Sequence, residues 1–222
     1  MTTVGIIGSG SIGQAVASLA VAAGYDVVLS NSRGPETLAA LVSSLGLTAR
    51  AATAAGAAEA GDLVVVSVPL KAYRDLPASE LGGKVVLSAN NHDLERDGVF
   101  PELDGSRTTA ELEQEQLPGA QLVKAFNTIF YKHLRSLARP AGHADRSALP
   151  IAGDQPTAKQ AATEFLDCIG YDAVDVGTLA DSWRFERSTP AWAIPYGSYE
   201  HPTGTPAGQS AIEAAVAAAT RR

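Results

Sequence analysis

Gly8-Ser9-Gly10-Ser11-Ile12-Gly13 fits the spacing G-x-G-x-x-G. Such spacing suits a backbone that must pass close to a pyrophosphate. Gly8 permits a tight turn, Gly10 lets backbone amides approach the anion, and Gly13 lets the next helix pack closely on its strand. A helix starting there adds unsatisfied N–H groups and a partial positive charge. The pattern is common by itself. Here it follows a short apolar run, Val4 to Ile7, and opens an amphipathic segment, which is the context that gives it meaning. About 20 residues beyond the loop, a ribose 2′-hydroxyl usually meets an Asp or Glu. This chain instead has Ser30-Asn31-Ser32-Arg33-Gly34 and no acid until Glu36. A carboxylate would repel a 2′-phosphate, whereas Ser32 can donate to it and Arg33 can grip it with two charged hydrogen bonds. The expected dinucleotide is therefore NADP(H), with Asn31, Ser32 and Arg33 at its 2′-phosphate.

Three later strand ends carry further polar groups. Ser67-Val68-Pro69-Leu70 should face the same crevice as the glycine loop, and Pro69 would fix the backbone beside a ribose or the pyrophosphate. Ala89 and Asn90, within Ser88-Ala89-Asn90-Asn91, suit the nicotinamide ribose and amide. Asn127 and Thr128 would face the nicotinamide or a second substrate. As weak catalytic candidates, His92 could donate a proton to a substrate carbonyl, and Asn127 could hold the reacting ring. No metal is expected, because His92, His133, His143 and His201 lack ligand spacing and the one cysteine, Cys168, has no partner. Cys168 reads as an inert thiol on an apolar helix face with Phe165 and Ile169. Glu111, Glu113 and Glu115 read as a solvated run. Trp183 and Phe185 read as core packing, with Arg184 and Arg187 free to pair with Glu186.

These residues need a frame. Val4–Ile7, Val27–Leu29, a weak run near 47–51, Leu63–Val68, Lys84–Ser88 and Gln121–Phe126 are short apolar segments spaced by helix-like ones. Continuous apolar strands alternating with helices signal a parallel sheet covered on both faces. The fold class is α/β, a Rossmann doubly wound sheet over residues 1–146, followed by a small C-terminal α/β domain over 147–222 that completes the substrate pocket. The second part should hold a strand at 149–153, a helix at 156–169, a strand at 172–176 and helices over 178–194 and 207–220. The last helix lines up Ile212, Ala215, Val216 and Ala219, a face for its own domain or for a second copy. A two-fold homodimer is the commoner arrangement.

Seventeen basic against 24 acidic residues leave a net charge of −7, which argues against nucleic acid as a partner. No apolar run reaches the ~18 residues of a membrane span, and no basic, apolar leader precedes Val4. The expectation is a cytoplasmic protein acting on a small-molecule redox substrate.

Taken together, the glycine loop, Asn31-Ser32-Arg33, Ser67-Val68-Pro69-Leu70, Lys124-Ala125-Phe126-Asn127-Thr128 and Ala152-Gly153-Asp154 resemble the NADPH-dependent deazaflavin reductases, also called coenzyme F420-dependent NADP oxidoreductases. The resemblance runs to about Pro190. That family is similar in fold to the nucleotide-binding portion of membrane metalloreductases. The resemblance implies hydride transfer between nicotinamide C4 and C5 of a deazaflavin, or an equivalent flavin position, driven mainly by positioning. It implies cofactor contacts at Ser9 to Ile12, Ser32, Arg33, Val68, Pro69 and Leu70, with looser ones at Ala89, Asn90 and Asn127. Lys124, Lys132, His133, Arg135 and Arg139 would serve an anionic substrate tail. Asp93–Gln116 and Trp192–Arg222 depart from the family and would shape the second site. Two other readings remain: NADPH-dependent reduction of a small carbonyl or imine, with His92 or a tyrosine as proton donor, and an NADPH sensor without turnover.

Overall fold

The computed structural model describes residues 2–221. β1 (Thr3–Ile7) leads into α1 (Ser11–Ala22), β2 (Asp26–Ser30), a 3₁₀ turn at Pro35–Leu38 that runs into α2 (Ala39–Leu45), β3 (Ala49–Ala51), α3 (Ala54–Ala60) and β4 (Leu63–Val66). A second 3₁₀ turn at Leu70–Asp75 precedes α4 (Ala78–Leu81), β5 (Val85–Ser88), α5 (Leu94–Asp97), α6 (Thr109–Gln116) and β6 (Gln121–Lys124). The remainder carries α7 (Tyr131–Ser136), β7 (Ala148–Gly153), α8 (Pro156–Cys168), β8 (Asp172–Asp175), 3₁₀ turns at Leu179–Phe185 and Ile194–Tyr196, and α9 (Gln209–Ala217).

The strands form one sheet in the order β3-β2-β1-β4-β5-β6-β7-β8. The first six are parallel in register, with Val4 beside Val27 on one side and Leu63 on the other. The chain winds outward in both directions from the β1–β4 boundary, so a crevice opens there at the strand C-termini. β7 joins β6 antiparallel through Val123–Gly153 and Lys124–Ala152, and β8 runs parallel to β7. Residues from 147 onward thus extend the same sheet.

Alternation along the strands feeds two cores. Leu29 and Val65 pack on one face, in a cluster with Val16, Ile151, Phe165 and Ile212. Val28, Val64 and Val66 pack on the other, with Tyr73, Leu112, Leu117 and Leu179. Both faces are apolar because both are covered. Among the described residues no helix is long and apolar enough to cross a membrane.

Several sequence expectations need correction. The helix expected over 178–194 is a 3₁₀ turn followed by irregular chain, because Ser188 and Ala193 take positive φ, at 72° and 64°, and Pro190 lies between them. Of the two packings open to the last helix, the structure shows the first: the side of α9 holding Ile212 and Val216 is buried within this chain. Cys168 is exposed: with Asp167 it lies on the outer side of the last turn of α8, while Phe165, Leu166 and Ile169 carry the side that meets the core.

Candidate active site

The glycine loop sits between β1 and α1 at the mouth of the crevice. Gly8 has φ of 101°, and a Cβ there would lie 2.1 Å from the Ser67 carbonyl oxygen. A Cβ on Gly13 would lie 1.9 Å from the carbonyl oxygen of Gly8, so the helix reaches the strand only through glycine. At Gly10 a Cβ would meet nothing within 4 Å. That space is open toward two clefts, and Gly10 borders both. No side chain caps α1, so its first N–H groups point at the same space. The loop therefore fits a bound pyrophosphate on geometry alone.

The first cleft, of about 560 Å³, runs from the loop to Ser32 and Arg33 and is backed by Ala54, Ala72 and Leu76. Arg33 is exposed, and among the described residues no carboxylate pairs with it. Lys71, which sequence reasoning missed, borders the same cleft. Asn31 also borders it, but its amide shapes the loop: Nδ2 donates to Thr37 Oγ1 at 2.9 Å and Oδ1 accepts the Arg33 N–H at 3.0 Å. Leu70 is buried in the core and reaches neither cleft. Proline at 69 turns the chain so that Leu70 packs inward.

The second cleft, of about 370 Å³, shares Gly10, Ser67, Val68 and Pro69 with the first. Ser11, Ile12, Ala89, Asn90, Asn127 and Thr128 line it, as the sequence suggested. Asn127 is buried. Its Nδ2 donates to the Phe185 carbonyl at 2.9 Å, while its Oδ1, itself without accessible surface, has no partner among the described residues. A buried orphan acceptor is costly unless a ligand supplies the donor. Phe126, with φ of 64°, bends the chain after β6 and turns Asn127 into the cleft. Non-glycine residues hold such φ only where the surroundings impose it.

An aromatic wall closes the far side. Tyr199 meets Phe130 edge-on at 4.8 Å and leans on Trp192 at 5.9 Å. The Arg187 guanidinium lies 5.5 Å from the Trp192 ring centroid and pairs with Asp93. Burial pushes the Tyr199 phenol up, so it stays protonated near neutrality. Trp192 and Tyr199 come from the divergent tail. Phe130, Tyr131 and Arg96 also line the cleft and carried no sequence signal. Tyr196, from the same tail, is buried and donates to the Ala148 carbonyl at 2.8 Å.

The floor holds the largest departure from expectation. Glu113 is fully buried, not solvated. It accepts from Ser88 Oγ at 2.5 Å and from Asn90 Nδ2. Lys124 is fully buried as well, and is no mouth cation: its Nζ donates to the Asn90 carbonyl and, at 2.8 Å, to Thr109 Oγ1. Burial pushes the Glu113 carboxyl up, against the pull of Lys124 and of the Ser88 and Asn90 hydrogen bonds. Burial pulls the Lys124 ammonium down, against Glu113 and Glu186. Glu186 does not pair with Arg184 or Arg187. It accepts from the Thr109 N–H and hydroxyl at 2.8 and 2.6 Å.

The remaining candidates lie elsewhere. His92 turns from the cleft, its Nε2 2.8 Å from the Gly98 carbonyl and its ring on Phe100 at 5.4 Å. His133 is buried against the His201 carbonyl, and Arg139 donates to the carbonyls of Ser136 and Ala138. Lys132 and Arg135 are exposed outside the cleft. Phe185 is core, as expected, while Trp183 is half-buried with Arg184 over its ring at 4.6 Å. Among the described residues no three His, Cys, Asp or Glu cluster as metal ligands.

A parallel sheet in this order, with an uncapped helix behind a glycine loop at its switch point, defines a Rossmann protein of the NAD(P)-binding class. Residues 3–92 match the family model described as NADP oxidoreductase, coenzyme F420-dependent. A hypothetical protein of Sinorhizobium meliloti, SMa0349, is 34% identical, with a TM-score of 0.76 over 87% of this chain and 94% of that one. The chain belongs to this family of NADP-dependent oxidoreductases. The rat metalloreductase STEAP3 is 32% identical over 199 residues, 86% of this chain and 38% of that protein. The chain spans about two fifths of the length of the curated relatives it matches. An Arthrobacter protein described as a candidate F420-dependent NADP reductase shares the fold at 21% identity and a TM-score of 0.68, over 82% of this chain and 87% of that one.

Proposed function

We propose that the chain binds NADP(H) across both clefts and exchanges hydride with a flat second substrate, a deazaflavin such as coenzyme F420 or a flavin. One observation carries the reading. The two clefts meet at Gly10, Ser67, Val68 and Pro69; one ends at Ser32 and Arg33, the other under the aromatic wall. When bound, the dinucleotide supplies a transferable hydride at nicotinamide C4.

The residues divide the work by position. Ser32 and Arg33, with Lys71 beside them, attract a 2′-phosphate. The first amides of α1 hold a pyrophosphate, and the absent side chain at Gly10 leaves room for it. A rotation of the Asn127 side chain, which borders the cleft, would present its unpartnered and buried Oδ1 to a carboxamide N–H and so fix which ring face is presented. Trp192, Tyr199 and Phe130 offer aromatic surface to a planar acceptor and exclude water above it. Among the described residues no carboxylate or histidine lines the second cleft, and positioning alone can supply much of the rate.

The test is a fluorescence titration with NADPH and NADH, followed by addition of F420, FMN or FAD with NADPH present. NADPH oxidation coupled to loss of the acceptor's visible band supports the proposal. NADPH binding with no turnover on any of the three sinks the acceptor assignment. The protonated Tyr199 phenol beside the cleft favours one second reading, in which it donates a proton to a reduced carbonyl or imine. Turnover on such substrates that is lost in Tyr199→Phe would establish it.

A further inference from the structure

Glu113 and Lys124, an acid and a base, have no accessible surface, and the proposed reaction uses neither. They meet through one residue. Asn90 gives its side-chain N–H to Glu113 and receives the Lys124 ammonium on its carbonyl. Its backbone N–H goes to Ser88 Oγ at 3.3 Å, and Ser88 in turn donates to Glu113. These three groups of Asn90 are directed into the core. The fourth, Oδ1, accepts the N–H of Val68 at 2.9 Å. Val68 belongs to the turn that both clefts share.

The arrangement is a poor way to stabilise a fold. Burying two charges costs several kcal/mol per ion, and apolar residues of equal volume often do as well or better. It is a good way to fix a position, because each of the four groups on Asn90 is satisfied in one geometry only. Lys124 extends the network through Thr109 to Glu186, next to the Phe185 carbonyl that orients Asn127.

We propose that Glu113 and Lys124 are positioning residues: through Asn90 they set the spacing between the Ser67–Pro69 and Ser88–Asn91 turns, and with it the shape of the cleft that takes the nicotinamide end. The inference rests on the dinucleotide reading above. The nicotinamide half should feel its loss most: the Ser67–Pro69 turn borders both clefts, but the Ser88–Asn91 turn borders the second alone, and the 2′-phosphate end is held by exposed loop residues.

Two ligands separate the halves. 2′,5′-ADP fills the end at Ser32 and Arg33 without reaching Asn90, whereas NADPH fills both. The double variant Glu113→Gln/Lys124→Met removes both charges at nearly constant volume. It should melt near the wild-type temperature, bind 2′,5′-ADP within about twofold of the wild type, and bind NADPH about tenfold more weakly. Unchanged affinity for both ligands overturns the proposal, and so does an equal loss for both, which marks the network as structural only. If the double variant does not fold, Ser88→Ala removes one hydrogen bond and keeps the charges. It should weaken NADPH alone, by roughly fivefold, and wild-type affinity there is equally fatal. A wild-type protein that binds neither ligand brings down the dinucleotide reading itself, and this inference with it.

Discussion

The two ends of the cleft are held by opposite means. Around Ser32 and Arg33 the charge is exposed and carried on a loop shaped by the Asn31 side chain and by Thr37, whose hydroxyl donates to the Gly34 carbonyl at 2.7 Å. Around Asn90 and Asn127 the charges of Glu113 and Lys124 lie beneath the floor, fully buried, and apart from Arg96, which pairs with Asp97, the surfaces offered to a ligand are mainly amides and aromatic rings. An exposed cation can read a phosphate while contributing little to folding, because water screens it until the ligand arrives. A buried charge network adds little contact of its own and instead determines where its neighbours stand. The first end should therefore tolerate substitution in stability and fail in affinity. The second should fail in both when one partner of the buried pair is removed alone.

Glu113→Ala tests the contrast at its strongest. It strips Asn90 and Ser88 of their acceptor and leaves Lys124 with Glu186 as its remaining nearby carboxylate. Breaking one side of such a buried arrangement costs about 3–5 kcal/mol, readable as a lower urea midpoint at unchanged slope. Removal of the exposed Arg33 side chain should stay within about 0.5 kcal/mol in the same assay. Equal midpoints for the two variants would erase the distinction.

Arg33→Ala carries the next effect, in affinity. NADPH binding should weaken by about 1.5–3 kcal/mol through loss of a charged hydrogen bond, with NADH unaffected. A fluorescence titration with both dinucleotides decides it. A loss shared by both would mean that Arg33 acts on the loop and not on the 2′-phosphate.

The same contrast explains what the sequence could reveal. The glycine loop was legible because its demands are backbone demands, and the clashes a Cβ would make at Gly8 and Gly13 are local. That Ser32 and Arg33 border the same cleft as the loop was legible from their distance to it along a strand of known rise. Glu113 was not. Alternating glutamates at 111, 113 and 115 on a short polar helix look like a solvated face, and its partners Ser88 and Asn90 lie about 25 residues upstream. One signal was available: Lys124 closes the otherwise apolar core of β6, and a cation on a buried strand requires an acceptor. Trp192 and Tyr199 reach the cleft on irregular chain, which has no period to read. Asn31 and Leu70 were placed by analogy of position. The first shapes its own loop, and the second follows a proline that turns it inward.

On the aromatic side the expected effects are smaller. Tyr199→Ala removes a ring that is 42% exposed and rests edge-on against Phe130. Aromatic packing of this kind contributes about 0.5–1.5 kcal/mol. The KM for a flavin or deazaflavin acceptor should rise roughly three- to tenfold, with the Kd for NADPH unchanged. A change in NADPH binding instead would place the wall over the dinucleotide.

The smallest effect asks whether any exposed charge supports the nicotinamide end. The turn Leu179–Phe185, whose last carbonyl orients Asn127, starts at a capping box in which Asp181 accepts from the Thr178 N–H at 2.9 Å and its hydroxyl at 2.7 Å. These hydrogen bonds hold the Asp181 carboxyl below its ordinary value of 3.8. A carboxyl lowered by folding adds stability above its unfolded value and loses it as the pH falls through the folded one. Wild-type protein should therefore lose a small increment of melting temperature below about pH 4, and Asp181→Asn should flatten that part of the curve. At neutral pH the variant should cost about 0.5–1 kcal/mol, the usual worth of a cap. NADPH affinity should hold, because Asn127 is also steadied by the Asn91 side chain, which donates to its carbonyl at 2.7 Å. If Asp181→Asn weakened NADPH as much as the loss of the buried pair does, the nicotinamide end would depend on surface charge too, and the division between the two ends would fail.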